Sequence, residues 1–277
     1  MKKRVLKIAA FVTALILIGG VIWFANGLVG NPISKALATH TAEKHLEAQY
    51  GDTDFVLEGV TFSFKHGYYH AYISSPSSVD SSFALAIALN GRLLYDYYEN
   101  NVLTGRNTAD RIEKDYRAAV DAVLESRSFP YDAHIGFGDL EFVSRENSGD
   151  PSVPDYAIVT EDLTLDAFYN VNELGARSGK LTLYLYADAV SVERLSEILL
   201  DIRRIFDGAG VRFYVIDCVL EFPKSEDGSR NDARVEVMEF LYSDIYEEGM
   251  TDRVRASDEA ARAYYAAEDA KKFKEKE

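Results

Sequence analysis

Residues 55–98, FVLEGVTFSFKHGYYHAYISSPSSVDSSFALAIALNGRLLYDYY, decide the fold. The stretch predicts strands at Phe55–Lys65, Tyr68–Ser74, Phe83–Leu89 and Arg92–Tyr98. In the first, Val60, Phe62 and Phe64 share one face and Thr61, Ser63 and Lys65 the other, the period-two alternation of a half-buried strand. His66-Gly67 and Asn90-Gly91 separate neighbouring strands. An Asn-Gly pair favours a tight hairpin because both residues tolerate positive φ. The result is an antiparallel meander with one apolar face to cover.

The cover lies immediately upstream. Asn31-Pro32 is a helix start, Asn as N-cap and Pro at the first helical position, and predicts a helix over Pro32–Tyr50 that ends at Gly51. Helix followed by meander resembles a cystatin-like fold. A second helix is expected over Thr108–Ser126, capped by Asn107 or Thr108, with Ile112, Tyr116, Ala119, Val120, Val123 and Leu124 at helical spacing. Phe129-Pro130 ends it, and the domain boundary is placed there.

The second half opens with a strand at Ala133–Val143, then a loop at Ser144–Pro154 rich in Ser, Gly, Pro and charge. Short strands are expected at Tyr156–Val159 and Leu163–Asp166. The clearest pattern follows: strand Leu181–Tyr186, helix Val192–Phe206, strand Val211–Pro223, turn-rich Ser225–Asp232, strand Ala233–Tyr242 and a charged helix at Asp252–Lys274. In the helix Val192–Phe206, Leu195, Ile198, Leu199, Ile202, Ile205 and Phe206 form one stripe, with Ser191 as N-cap and Gly208 or Gly210 at the end. In Ala233–Tyr242, strict alternation sets Val235, Val237 and Glu239 opposite Glu236, Met238 and Phe240. The fold class is α+β: residues 1–30 a membrane anchor, 31–130 a helix-on-meander domain, 131–277 a βαββα-type domain with a charged terminal helix.

The anchor is written in the first thirty residues. Lys2, Lys3, Arg4 and Lys7 precede Ile8–Val29, which carries no charge. Twenty-two helical residues at about 1.5 Å each reach about 33 Å, the thickness of a hydrocarbon core. The stretch exceeds the h-region of a cleaved signal, and Trp23-Phe24-Ala25-Asn26 puts aromatics where a cleavage site needs small residues. A signal-anchor is therefore expected, with the basic end cytoplasmic and residues 31–277 extracytoplasmic. Beyond residue 30 stand 26 basic and 45 acidic residues, a formal charge of −19. That excludes the basic footprint of a nucleic-acid binder. The single cysteine, Cys218, sits in an apolar run and reads as a small buried hydrophobe.

No set of residues assembles into catalytic or metal-binding chemistry. His66 and His70 flank a turn, yet two imidazoles without a third ligand make a weak metal site. His40 and His45 fit neither H-E-x-x-H nor its inverse. The hydroxyl-rich Ser74–Ser82 has no nucleophile elbow and reads as a polar loop. Glu161-Asp162 with Asp166, and Glu226-Asp227 with Asp232, depart from the calcium-loop pattern. Catalytic, cofactor and metal residues are accordingly assigned as none. The tyrosines remain. Tyr68, Tyr69, Tyr72, Tyr97 and Tyr98 form the candidate partner-binding surface, because a phenol joins apolar area to a hydroxyl. Adjacent strand residues point to opposite faces, so at most one of each doublet need be exposed.

Several short motifs also carry a resemblance. The basic anchor, Asn31-Pro32-Ile33-Ser34-Lys35-Ala36, Tyr50, Phe64-Lys65, Tyr68, the run Ser74-Ser75-Pro76-Ser77-Ser78-Val79-Asp80, and Asp96-Tyr97-Tyr98 together resemble the YfjL-like proteins of Gram-positive bacteria. The resemblance implies a membrane-anchored, two-domain envelope protein and transfers no activity or functional residue. The expected function is a non-enzymatic extracytoplasmic binding module, bound to the lipid bilayer and to an envelope protein or cell-wall ligand. The alternatives are a regulatory or sensory subunit of a membrane complex and a hydrolase with dispersed acidic residues.

Overall fold

The computed structural model describes residues 2–224 and 231–274. In chain order the elements are α1 (Lys2–Val29), α2 (Pro32–Tyr50), β1 (Val56–Ser63), β2 (Tyr68–Ser75), β3 (Ser78–Ile87), β4 (Leu93–Asp96), α3 (Arg106–Leu124), β5 (Asp132–Leu140), β6 (Phe142–Val143), β7 (Ile158–Val159), α4 (Val171–Ser178), β8 (Gly179–Tyr186), α5 (Val192–Ala209), β9 (Val215–Glu221), β10 (Arg234–Leu241) and α6 (Met250–Lys274). They form two compact units, Met1–Thr108 with Thr164–Asp166, and Ala109–Leu163 with Ala167–Glu277.

In the first unit, α1 is long and apolar enough to cross a membrane, and none of its apolar window is buried. Asn31 caps α2 as expected, its side chain accepting from Ser34 N at 2.8 Å, with Pro32 beginning the helix. Strands β1 to β4 form an antiparallel meander in sequence order. Its inner face, Val60, Tyr69, Ala71, Ile73, Phe83, Leu85 and Ile87, packs with Ala38 and Ala42 of α2. The Ser-rich run is not a loop. β2 reaches Ser75, β3 starts at Ser78, and only Pro76 and Ser77 turn the chain. Carboxylates make this possible by taking the hydroxyl hydrogens: Ser75 Oγ donates to Asp54 at 2.7 Å and Ser78 Oγ to Asp166 at 2.9 Å. Asp80, 1% exposed, accepts from Thr108 Oγ1 at 2.9 Å and from Asp166 N at 3.0 Å. Asn107 and Thr108 therefore lie inside the first turn of α3, bonded to β3, and do not cap it.

In the second unit, one sheet runs β10-β9-β8-β5. β8 and β9 are parallel and the other pairs antiparallel, so β8-α5-β9-β10-α6 realises the expected βαββα order with a mixed sheet. Ser191 caps α5 and Gly210 ends it. The α5 stripe packs with Leu181, Leu183, Leu185, Ile216, Cys218 and Leu220 in a single core. The apolar face of α3 belongs to this core, so the units part at Thr108 and Ala109, ahead of residue 130. Gly138 of β5 admits that helix: a Cβ there would lie 2.5 Å from Val120 Cγ2.

Three features of the chain beyond α3 depart from expectation. Leu163–Asp166 is no strand, and Asp166 has φ +59°. α4 carries no sequence signal, because its eight residues hold too few turns to show a period. In β10, a bulge between Val237 and Phe240 breaks the alternation. Phe240 joins the core with Val235 and Val237, while Glu239 turns out at φ +46°. The first turns of α6 dock through Met250, Val254, Asp258 and Ala261.

Candidate functional site

Parity along β2, together with the course of the chain just beyond β4, sorts the tyrosines onto the two faces of the meander. Tyr69 pairs with Phe62 and Ile87 and points inward, 1% exposed. Its hydroxyl donates to Asn31 O at 3.0 Å and accepts from Asn31 N at 2.9 Å, fastening the α1–α2 junction to the sheet. Gly30, at φ +75°, shares that contact, since a Cβ would fall 2.3 Å from Tyr69 Oη. Tyr98 also points inward, its ring 5.1 Å from Tyr50 and 5.2 Å from Phe83. Burial, then the neighbouring Asp96, raises the pKa of Tyr50. Two of the five candidate tyrosines are thus core residues and do not belong to an exposed surface.

Tyr68, Tyr72 and Tyr97 share the outer face with residues that the sequence reading did not select. His66 stacks on Tyr68 at 5.3 Å, Tyr68 meets His70 at 5.0 Å, and His70 stacks on Tyr72 at 6.1 Å. Beside this column, Tyr95 meets Tyr97 at 4.5 Å. Hydrogen bonding to Tyr68, then burial, raises the pKa of Tyr97. The sheet beneath is small-residued: Thr61 and Ala86 flank His70, and Gly59 and Ala84 flank Tyr72. Alternation from Tyr68 and Tyr72 points to His70, and alternation from Tyr97 points to Tyr95. Burial, then the charge of His66, holds the His70 pKa below its usual 6.5. These rings offer flat apolar faces with hydroxyl and imidazole edges, which is binding chemistry.

The remaining candidates disperse. His45 Nε2 lies 2.8 Å from Asp96 Oδ2, while His40 is exposed. Glu161 accepts from Arg145 N and Asp162 pairs with Arg145, whereas Asp166 accepts from Ser78 and Asp80 N. Glu226 and Asp227 lie outside the described residues; Asp232 is exposed. Among the described residues, no group of three His, Cys, Asp or Glu converges as metal ligands. Cys218 is fully buried, and burial, with Asp217 adding to it, pushes its thiol pKa up. It is a core hydrophobe, as expected.

A long apolar helix followed in sequence by two α+β units, the first a helix-covered meander, defines a class of two-domain proteins. The chain belongs to the YfjL-like family: the YfjL-like N-terminal domain matches residues 2–97, and the YfjL-like C-terminal domain matches residues 115–255. Neither a curated protein nor a solved structure matches it.

Proposed function

We propose that this protein is a membrane-anchored binding module of the cell envelope. α1 sits in the bilayer, with Lys2, Lys3, Arg4 and Lys7 on the cytoplasmic side and residues 31–277 outside. The observation that carries the reading is the outer face of the meander, where His66, Tyr68, His70 and Tyr72 form a continuous ring column. Tyr72 is 47% and Tyr95 46% exposed. Tyrosines in such a setting gain contact area at small conformational cost, which is why they are enriched in binding surfaces. The partner is an envelope protein or a wall ligand.

The test is photo-cross-linking on intact cells. A benzophenone amino acid replaces Tyr72 or Tyr95, and Glu259, exposed on α6, serves as control. One dominant adduct from positions 72 and 95, missing from 259, is the expected result. An adduct that collapses on digestion of the wall identifies a wall ligand; one that survives identifies a protein. No adduct at 72 and 95, or the same pattern at all three positions, overturns the reading.

A further inference from the structure

Within the second unit, α6 and the outer face of the mixed sheet enclose a cleft of about 450 Å³. We propose that this cleft binds a small organic cation, an amine or quaternary ammonium, held by the Glu239 carboxylate and the rings of Tyr264 and Tyr265. The site is distinct from the meander face and does not rest on the function proposed above.

The first observation is space. Ser257, Ala260 and Ala261, which recur at helical spacing, turn a small-residued face of α6 to the cleft. The second is the wall. Tyr264 and Tyr265 stand edge to face, ring centroids 5.6 Å apart, making an aromatic corner. Tyr264 is 63% exposed. Arg234 already lies 5.4 Å from the centre of the Tyr265 ring, so this corner accommodates positive charge.

The third observation is the charge balance. Lys180, the basic residue lining the cleft, is neutralised by Asp217, with Nζ 2.8 Å from Oδ2. Around the cleft Arg234 pairs with Glu236 at 3.2 Å and Arg262 with Asp258 at 2.8 Å. Among the described residues Glu239 has long contacts, Lys180 at 3.9 Å and the Tyr156 hydroxyl at 3.5 Å, and its side chain is 56% exposed. One carboxylate in excess, beside aromatic faces, selects a cation over an anion or a neutral ring. The Tyr156 phenol reports the same field: burial first, then Glu239, Glu141 and Asp217, raise its pKa.

The fourth observation is strain. Glu239 holds φ +46°, a region that bulky residues avoid. The bulge needs that backbone to return Phe240 to the core, and glycine would supply it without strain. Glutamate adds a carboxylate at the cleft wall, with its own N–H tied to Asp217 Oδ1 at 2.6 Å. Strained backbone that re-aims a polar side chain is a mark of functional sites.

The experiment is saturation-transfer NMR on the full chain in a maltoside micelle. The probes are choline and its uncharged isostere 3,3-dimethyl-1-butanol. Choline is expected to bind at least about tenfold tighter than the isostere. Glu239→Gln and Tyr264→Leu each lower choline affinity by about tenfold or more, while Glu259→Gln leaves it unchanged. Glu239→Gly relieves the strained φ, so it melts at or above the wild-type temperature yet loses choline, which separates binding from folding. Equal binding of the two probes, choline affinity undiminished in Glu239→Gln, or no choline signal at tens of millimolar overturns the proposal.

Discussion

Tyr68 and Tyr69 are chemically identical neighbours with opposite work, and parity alone divides them. Tyr68 displays its ring on the outer face, whereas Tyr69 is buried and spends its hydroxyl on both backbone groups of Asn31. At the break between α1 and α2 the Asn31 N–H has no helical acceptor and relies on the phenol, whereas Asn31 O also accepts from Lys35 N at 3.0 Å. Tyr69→Phe keeps the ring and removes the hydroxyl, leaving the Asn31 N–H without its acceptor while Asn31 O keeps its bond from Lys35 N. The expected loss is about 1–3 kcal/mol, the usual cost of orphaned polar groups, read as a lower urea midpoint with unchanged slope. A midpoint within error of wild type would show that water replaces the hydroxyl at no cost. Tyr68→Phe, by contrast, should leave stability nearly unchanged, since its hydroxyl serves an exposed face.

At the scale of elements, period and capping were legible and register was not. Asn31-Pro32 located α2, Ser191 and Gly210 bounded α5, and alternation located β1 and β8, because these signals are local. Three things escaped. β2 runs to Ser75 and β3 begins at Ser78, both inside the Ser-rich run, because distant Asp54 and Asp166 satisfy the Ser75 and Ser78 hydroxyls. α3 packs on β5, a choice that depends on the room Gly138 leaves. The β10 bulge inverts the faces of Glu239 and Phe240, and no neighbouring residue announces it. The meander face was half legible: alternation predicts a mixed surface, while the histidines that complete the ring column were weighed only as metal ligands. The column has a consequence for pH. Burial first, and the charge of His66 second, hold the His70 pKa below 6.5, so the unfolded chain takes up its proton at higher pH than the folded one. Stability from this residue is present above pH 6.5 and falls as pH drops through the folded value. Between about pH 7.5 and about pH 5.5, wild type should lose more of its urea midpoint than His70→Gln. Parallel losses in the two proteins would remove His70 as the source.

The whole molecule is electrically lopsided: Lys2, Lys3, Arg4 and Lys7 precede the apolar helix, and a formal −19 follows residue 30. Basic residues beside a span resist translocation, and acidic ones do so little, so this asymmetry supports one orientation. The chain carries its own silent background for a test, because its only cysteine, Cys218, is fully buried with its thiol pKa raised. Ser148, exposed between β6 and β7, accepts a reporter without disturbing a core. Ser148→Cys in the full chain should react with a membrane-impermeant maleimide on intact cells, and wild type should not. Carbonate washing should leave the labelled chain in the membrane fraction, because an apolar helix of this length is not released by high pH or salt. Labelling only after the membrane is opened would reverse the orientation and remove the envelope role. Labelling on intact cells followed by release into the wash, with a new N-terminus near residue 30, would keep the outer location and replace the anchor with a cleaved signal. Retention together with outside labelling places the ring column of the meander where a partner in the envelope can reach it.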